Sequence, residues 1–218
     1  MSYTLRCVSN AVKSGESESI LSSPDSVILS TTGNATNGYG VILSDPPWHW
    51  ESWGKRRRKP SIERGATRYY ETLTTNDLFD FPVHSWGASD CVLALWVINS
   101  MLPAGFELID SWGFTFKTVG FVWIKTNKKK GGIFVGMGYH TRQNAELCLI
   151  ATKGKPKRKS ASVRQVIMSP RREHSRKPDD IYTRLESLYN GPYLDMFSRE
   201  NREGWDAFGH QAGFFNER

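Results

Sequence analysis

The feature that most constrains how this chain can fold is a series of short apolar runs with helix signals between several of them. Val27–Leu29, Val41–Leu43, Cys91–Ile98, Val119–Ile124, Leu147–Ala151, Val163–Met168 and Tyr193–Phe197 have the length and the Val, Ile and Leu content of buried strands, which predicts seven of them. Thr75 precedes a helical stretch over Asn76–Phe81, Pro103 opens a second that Gly113 closes, and Pro178-Asp179-Asp180 opens a third that ends before Gly191. In the third, Ile181, Leu185 and Leu188 share a face, and the acidic first turn suits the positive end of the helix dipole. Strands that alternate with helices predict an α/β fold, a mainly parallel sheet with helices on both faces.

The 218 residues, 39% hydrophobic and 23% charged, match a globular profile that buries a core without disulfides or metals. Cys7, Cys91 and Cys148 are odd in number and far apart, with no Cys-x-x-Cys pair, so neither a disulfide framework nor a metal site is expected. No stretch reads as a signal peptide or spans a bilayer, and an intracellular protein with reduced thiols and no membrane partner is expected. Residues 1–24, rich in Ser, Glu and Gly, read as a flexible arm before a single domain over 25–218.

A net charge of +7 favours polyanionic partners, nucleic acid first. The excess sits in three stretches that break the strand pattern: Ser52–Tyr69 with Lys55–Lys59, Thr126–Met137 with Lys128–Lys130, and Lys153–Ser160. Each reads either as exposed charge or as a surface loop that holds a phosphate backbone beside a site.

The sharpest local signal is Asp45-Pro46-Pro47-Trp48, directly after the apolar run Val41–Leu43 and so at a strand's carboxyl end, where open α/β sheets bind ligands. The two prolines stiffen the backbone, remove two N–H donors and leave carbonyl acceptors, to which Asp45 adds a carboxylate. The exocyclic amine of adenine is a weak nucleophile with two N–H donors. Asp45 and the carbonyl of Pro46 suit a grip on both, aiming the nitrogen lone pair at an electrophilic methyl group; positioning of this kind contributes roughly 7–11 kcal/mol at its upper limit. Trp48 either stacks on an extruded base, a contact typically worth ~1–3 kcal/mol, or plugs the core behind a rigid turn.

Asp45–Trp48, Leu93–Val97, Gly120–Thr126, Gly138–Gly154, Val163–Tyr182 and Gly191–Gly209, in that order, resemble an adenine-N(6) methyltransferase family. It is named after the seventy-kilodalton subunit of the messenger-RNA adenosine methyltransferase, and the resemblance is to its bacterial and bacteriophage members. The resemblance implies a Rossmann-like fold with permuted motif order, the catalytic tetrapeptide preceding the cofactor strand, and S-adenosyl-L-methionine as cofactor. On it, Asp45, Pro46, Pro47 and Trp48 are catalytic. Asp45, Lys177, Asp195, Phe197, Arg199, Asn201 and Gln211 contact the cofactor, with Lys177 at its carboxylate and Asp195 at the ribose hydroxyls. His210 stands where the family has Asn, and Asp25 is the one candidate upstream of the tetrapeptide for the cofactor's adenine.

On the substrate side the resemblance points to Trp48, His140, Arg142 and His174. His140 and Arg142 read equally as a solvated loop, and His174 as a helix cap. Trp96, Trp112 and Trp123 read as core. The resemblance implies methyl transfer to adenine in DNA, in the cytoplasm of a bacterial or phage-infected cell, by a homodimer or with a heteromeric partner. The alternatives are the same reaction on RNA, or a non-catalytic nucleic-acid-binding subunit of a methyltransferase complex.

Overall fold

The computed structural model describes residues 28–30, 35, 37–48, 73–129, 131–173, 175–209 and 212–216. The expected 1–24 arm, Asp25, the basic stretch Lys55–Lys59, Lys130, His174, His210 and Gln211 lie outside the described residues. Eight strands form one sheet: β1 (Ile28–Ser30), β2 (Tyr39–Ser44), β3 (Gly87–Val97), β4 (Thr115–Thr126), β5 (Ala145–Lys153), β6 (Val166–Pro170), β7 (Tyr193–Met196) and β8 (Trp205–Gly209). Their order is β1-β8-β7-β2-β3-β5-β4-β6.

β2 pairs parallel to β3 and β7, β7 to β8, and β4 to β6, while β5 runs antiparallel to both β3 and β4, so β3 and β4 share a direction. Only β1 and β5 run against the rest. The mainly parallel sheet expected from the sequence is therefore present, and all seven predicted strands lie in it. The eighth, β8, escapes a search for apolar runs because Asp206 interrupts it. That aspartate is 1% exposed, and Tyr39 donates its hydroxyl hydrogen to it at 2.8 Å. Paired, a carboxyl is tolerated in a buried strand.

Among the described residues four α-helices flank the sheet: α1 (Thr75–Phe79), α2 (Val83–Trp86), α3 (Leu102–Ser111) and α4 (Asp180–Leu188). α1 is capped by Thr74, one residue before the threonine the sequence pointed to. The Thr74 hydroxyl accepts from the Asp77 N–H at 3.2 Å and the Asp77 carboxylate accepts from the Thr74 N–H at 2.9 Å, a reciprocal capping box. α3 has Pro103 in its first turn, and Gly113, at φ +75°, takes the left-handed turn after it. α2, one turn long, has no sequence signal.

The core divides between the two faces because side chains alternate along each strand. Ile42, Leu93, Leu95, Leu149 and Leu194 meet Leu78, Val83, Leu108 and Ile109 of α1, α2 and α3. Val41, Leu43, Val92, Ala94 and Trp96 meet Ile181 and Leu185 of α4. Helices thus cover both faces as expected, and Trp96, Trp112 and Trp123 are buried as expected. Trp112 Nε1 donates to the Leu78 carbonyl at 2.9 Å, joining the end of α3 to α1. β2, β3 and β4 are connected through α1, α2 and α3 on one face, whereas β6 returns to β7 through α4 on the other. The chain therefore switches direction between adjacent β2 and β7, and ligands bind beyond the carboxyl ends of the strands at such a point.

Of the three basic stretches, Lys153–Ser160 does not flank that edge. It follows β5, whose reversed direction carries it to the opposite edge of the sheet. There the Lys153 ammonium donates to the carbonyls of His84 and Gly87 at 2.7 Å, and that of Lys159 to Glu186 at 2.8 Å in the last turn of α4. Lys153 and Lys159 thus meet carbonyls at the C-terminal ends of α2 and α4.

Leu185 is fully buried on α4, the helix that makes the return crossing. Leu185→Ala is expected to cost ~2–5 kcal/mol of unfolding free energy in a urea titration, and Leu188→Ala, only partly buried, distinctly less.

Candidate active site at the switch point

Asp45 is the first residue past β2, and its N–H donates to the Met196 carbonyl at 3.3 Å, which locks the loop to the end of β7. One cleft at this edge is lined by Asp45, Trp96, Lys177, Asp195, Phe197 and Arg199, among others, and encloses about 440 Å³ counted out to open solvent. The structure thus brings five sequence-predicted cofactor residues, Asp45, Lys177, Asp195, Phe197 and Arg199, to one place. Asn201 is exposed outside the lining, its backbone paired with the Asn216 side chain.

Asp45 is paired. The Lys177 ammonium donates to its Oδ2 at 2.6 Å, lies 3.5 Å from Glu146 Oε2, and sits 5.7 Å above the centre of the Trp96 ring. Glu146 in turn accepts from Lys125, so acidic and basic side chains alternate along Asp45, Lys177, Glu146 and Lys125. Burial pushes the Asp45 carboxyl above its ordinary pKa against the pull of Lys177. Burial acts on Glu146 in the same direction, but Lys177 and Lys125 together hold it below the ordinary value. Glu146 was missed from sequence; its only signal is an acidic residue at the start of a buried run, on the edge where β5 begins.

Asp195, 7% exposed at the end of β7, accepts the Tyr182 and Ser198 hydroxyl hydrogens on Oδ2, both at 2.8 Å. Burial outweighs those two bonds and pushes its carboxyl up to about 7. Two non-glycine residues among those described take the left-handed conformation, Ser175 at φ 68° and Phe197 at φ 65°, and both line the cleft. Strained backbone of this kind concentrates at functional sites.

The loops that carry Lys177 and Asp195 are tied together through Asp179. Its carboxylate accepts from Arg172 at 2.7 and 2.9 Å and from Arg202 at 2.7 Å, and makes no helix cap. Arg172 also donates to the Lys177 carbonyl at 2.5 Å, and Arg202 lies 4.1 Å over the Tyr182 ring. Asp179 was read from sequence only as part of an acidic helix start, and neither arginine was singled out, because their partners come from different loops.

The tetrapeptide departs from expectation at its prolines. Its proline carbonyls are not left free: Trp48 N–H donates to Pro46 at 2.8 Å and Leu73 N–H to Pro47 at 3.0 Å. A carbonyl has two lone pairs, so Pro46 keeps capacity for one further donor. Trp48 is 3% exposed, donates Nε1–H to the Trp96 carbonyl at 3.2 Å and belongs to the core, the second of its two sequence readings. Trp96, its neighbour, is the tryptophan that lines the cleft. His140 and Arg142 are exposed in the loop between β4 and β5, on the same edge as the cleft but outside its lining, with the His140 ring edge-on to Tyr139 at 4.8 Å.

A family model, MT-A70, matches residues 39–211. The type II methyltransferase M.MunI of Mycoplasma sp is 31% identical over 187 residues, 78% of this chain and 76% of that protein. The N(6)-adenosine-methyltransferase MT-A70-like protein of Arabidopsis thaliana is 29% identical over 179 residues, and the N(6)-adenosine-methyltransferase catalytic subunit METTL3 of Homo sapiens 29% identical over 182. Each of these matches 79% of this chain, which spans only 24% and 28% of their respective lengths. With a family model covering residues 39–211, most of its sequence, this chain belongs to the MT-A70 family.

Proposed function

We propose that this chain transfers a methyl group from S-adenosylmethionine to the exocyclic amine of adenine in DNA. The observation that carries the reading is the pair of carboxylates, Asp45 and Asp195, on adjacent strand ends of one cleft in which Lys177 holds Asp45 in place. DNA is favoured over RNA because the bacterial type II relative is matched along three quarters of its own length.

The cleft suits the cofactor. Asp195 presents a buried acceptor for a diol, and Arg176 Nε, buried in the lining, has no hydrogen-bond partner among the described residues, a donor left for a ligand. Bound there, S-adenosylmethionine would supply an electrophilic methyl group. Asp45 and the second lone pair of Pro46 accept the two amine hydrogens, directing the nitrogen lone pair into the cleft. Lys177 orients the Asp45 carboxylate and offsets the cost of keeping it charged away from water. His140, Arg142 and the exposed Lys128 and Lys129 stand where a nucleic acid backbone would approach. Trp48 has the role of a core support beneath the loop. The 1–24 arm, the single domain over 25–218 and any homodimeric or heteromeric partner belong to the same proposal.

Labelled methyl transfer to matched DNA and RNA, read by nucleoside mass spectrometry, should give N(6)-methyladenine in DNA. Methylation of RNA alone would move the substrate, and no product on either polymer would leave the non-catalytic subunit. Asp45→Ala is expected to abolish transfer while S-adenosylmethionine binding, measured by calorimetry, falls by less than about tenfold; a mutant retaining wild-type turnover would remove Asp45 from the reaction.

Asp195 sets two opposite pH trends. As an acceptor it works best ionised, so cofactor affinity is expected to rise as pH rises through about 7. Its raised pKa means that the fold favours the protonated form. Its contribution to stability is therefore full below the ordinary carboxylate pKa and lost as pH rises through about 7. Asp195→Asn should flatten both trends, seen in calorimetric titrations and urea midpoints between about pH 5 and 8.

A further inference from the structure

Phe215 lines the same cleft but lies past residue 211, where the family match ends. Its position is over-determined. Its N–H donates to the Arg199 carbonyl at 3.0 Å. The Asn216 side chain accepts from the Asn201 N–H at 2.6 Å and donates to the Asn201 carbonyl at 3.0 Å. The Asn216 N–H closes a turn onto the Gly213 carbonyl at 2.9 Å, and Gly213 has φ +87°, a conformation glycine adopts without strain. The Phe215 ring has the guanidinium carbons of Arg199 and Arg176 at 4.5 and 4.7 Å from its centre, and Phe214 packs edge-on at 5.3 Å. Two cations on one ring and a backbone clamp on either side of it hold an aromatic surface at the cleft.

We propose that Phe215 is a cofactor-binding residue, held by the 213–216 clamp as the wall that buries one face of the adenosine half of the ligand. The proposal rests on the cofactor reading above. The clamp docks on residues 199–201, directly after Asp195 and Phe197, and so on the segment assigned to the ribose; the transfer end is marked by Asp45 and Lys177. A flat ring beyond the ribose suits the flat adenine, since stacking on an aromatic side chain is tolerant of detail and needs no hydrogen bond.

The test is calorimetric binding of S-adenosylmethionine, S-adenosylhomocysteine and 5′-methylthioadenosine, which share the adenosine moiety and differ beyond it. Phe215→Ala should weaken all three by a similar factor, on the order of tenfold. Phe215→Tyr should bind like wild type, and the loss should fall on KM for S-adenosylmethionine more than on kcat. A thermal unfolding scan of each variant separates a lost wall from a lost fold. If Phe215→Ala destabilises the protein, Phe215→Leu, which keeps apolar volume against Arg176 and Arg199 without a flat ring, must show the same affinity loss. Unchanged affinities in folded Phe215→Ala or Phe215→Leu, beside a clear loss in Asp195→Ala, overturn the clamp and leave the cofactor reading standing. Wild-type protein that binds none of the three ligands overturns both.

Discussion

The parallel pairing of β2 with β7 is the constraint on which the rest of the site depends. Leu43 stands opposite Asp195 and Ser44 opposite Met196 in that register, so the tetrapeptide and the second carboxylate, remote in sequence, emerge side by side. Each strand is buried on both faces, and a slip of one residue would turn Ile42 and Leu194 toward the wrong core. Register is therefore enforced by the burial of large aliphatic side chains, each typically worth ~1.5–3 kcal/mol, and the polar loops inherit their placement from it.

Buried charge is the second organising element. Asp45 and Glu146 both lose water, and a carboxylate desolvated alone would take up a proton. Lys177 between them and Lys125 beyond keep the chain of charges alternating, which lets an acceptor stay ionised beside an apolar core. Among the described residues Asp195 has no such cation hydrogen-bonded to it; its partners are hydroxyls, and its pKa rises to about 7. Two aspartates on neighbouring strand ends thus differ in character, one fixed by an ion pair and the other by neutral donors.

Much of the molecule was legible in the chain because strand burial leaves a local mark. Seven apolar runs marked seven strands; the eighth was hidden by Asp206, whose burial depends on a hydroxyl from β2. Asp45, Lys177, Asp195, Phe197 and Arg199, named from the resemblance, line one cleft. Trp48 was open to two readings, and only the tertiary structure puts its ring in the core, with its indole N–H on the Trp96 carbonyl. The basic stretch Lys153–Ser160 looked equivalent to the others until the reversed direction of β5 carried it to the far edge.

The sequence by itself determined the alternation of strands and helices, the helix ends at Pro103, Gly113 and Pro178, and the stiff acceptor loop at Asp45, because each depends on residues a few positions apart. The tertiary structure alone decided which charges meet. Glu146 against Lys177, Asp179 shared by Arg172 and Arg202, and Phe215 in contact with two arginines each join loops that are separate in the chain. The physical reason is range: backbone propensity and hydrophobic period act over a turn or a strand, whereas ion pairs and ring contacts form only after the sheet has set the loops side by side.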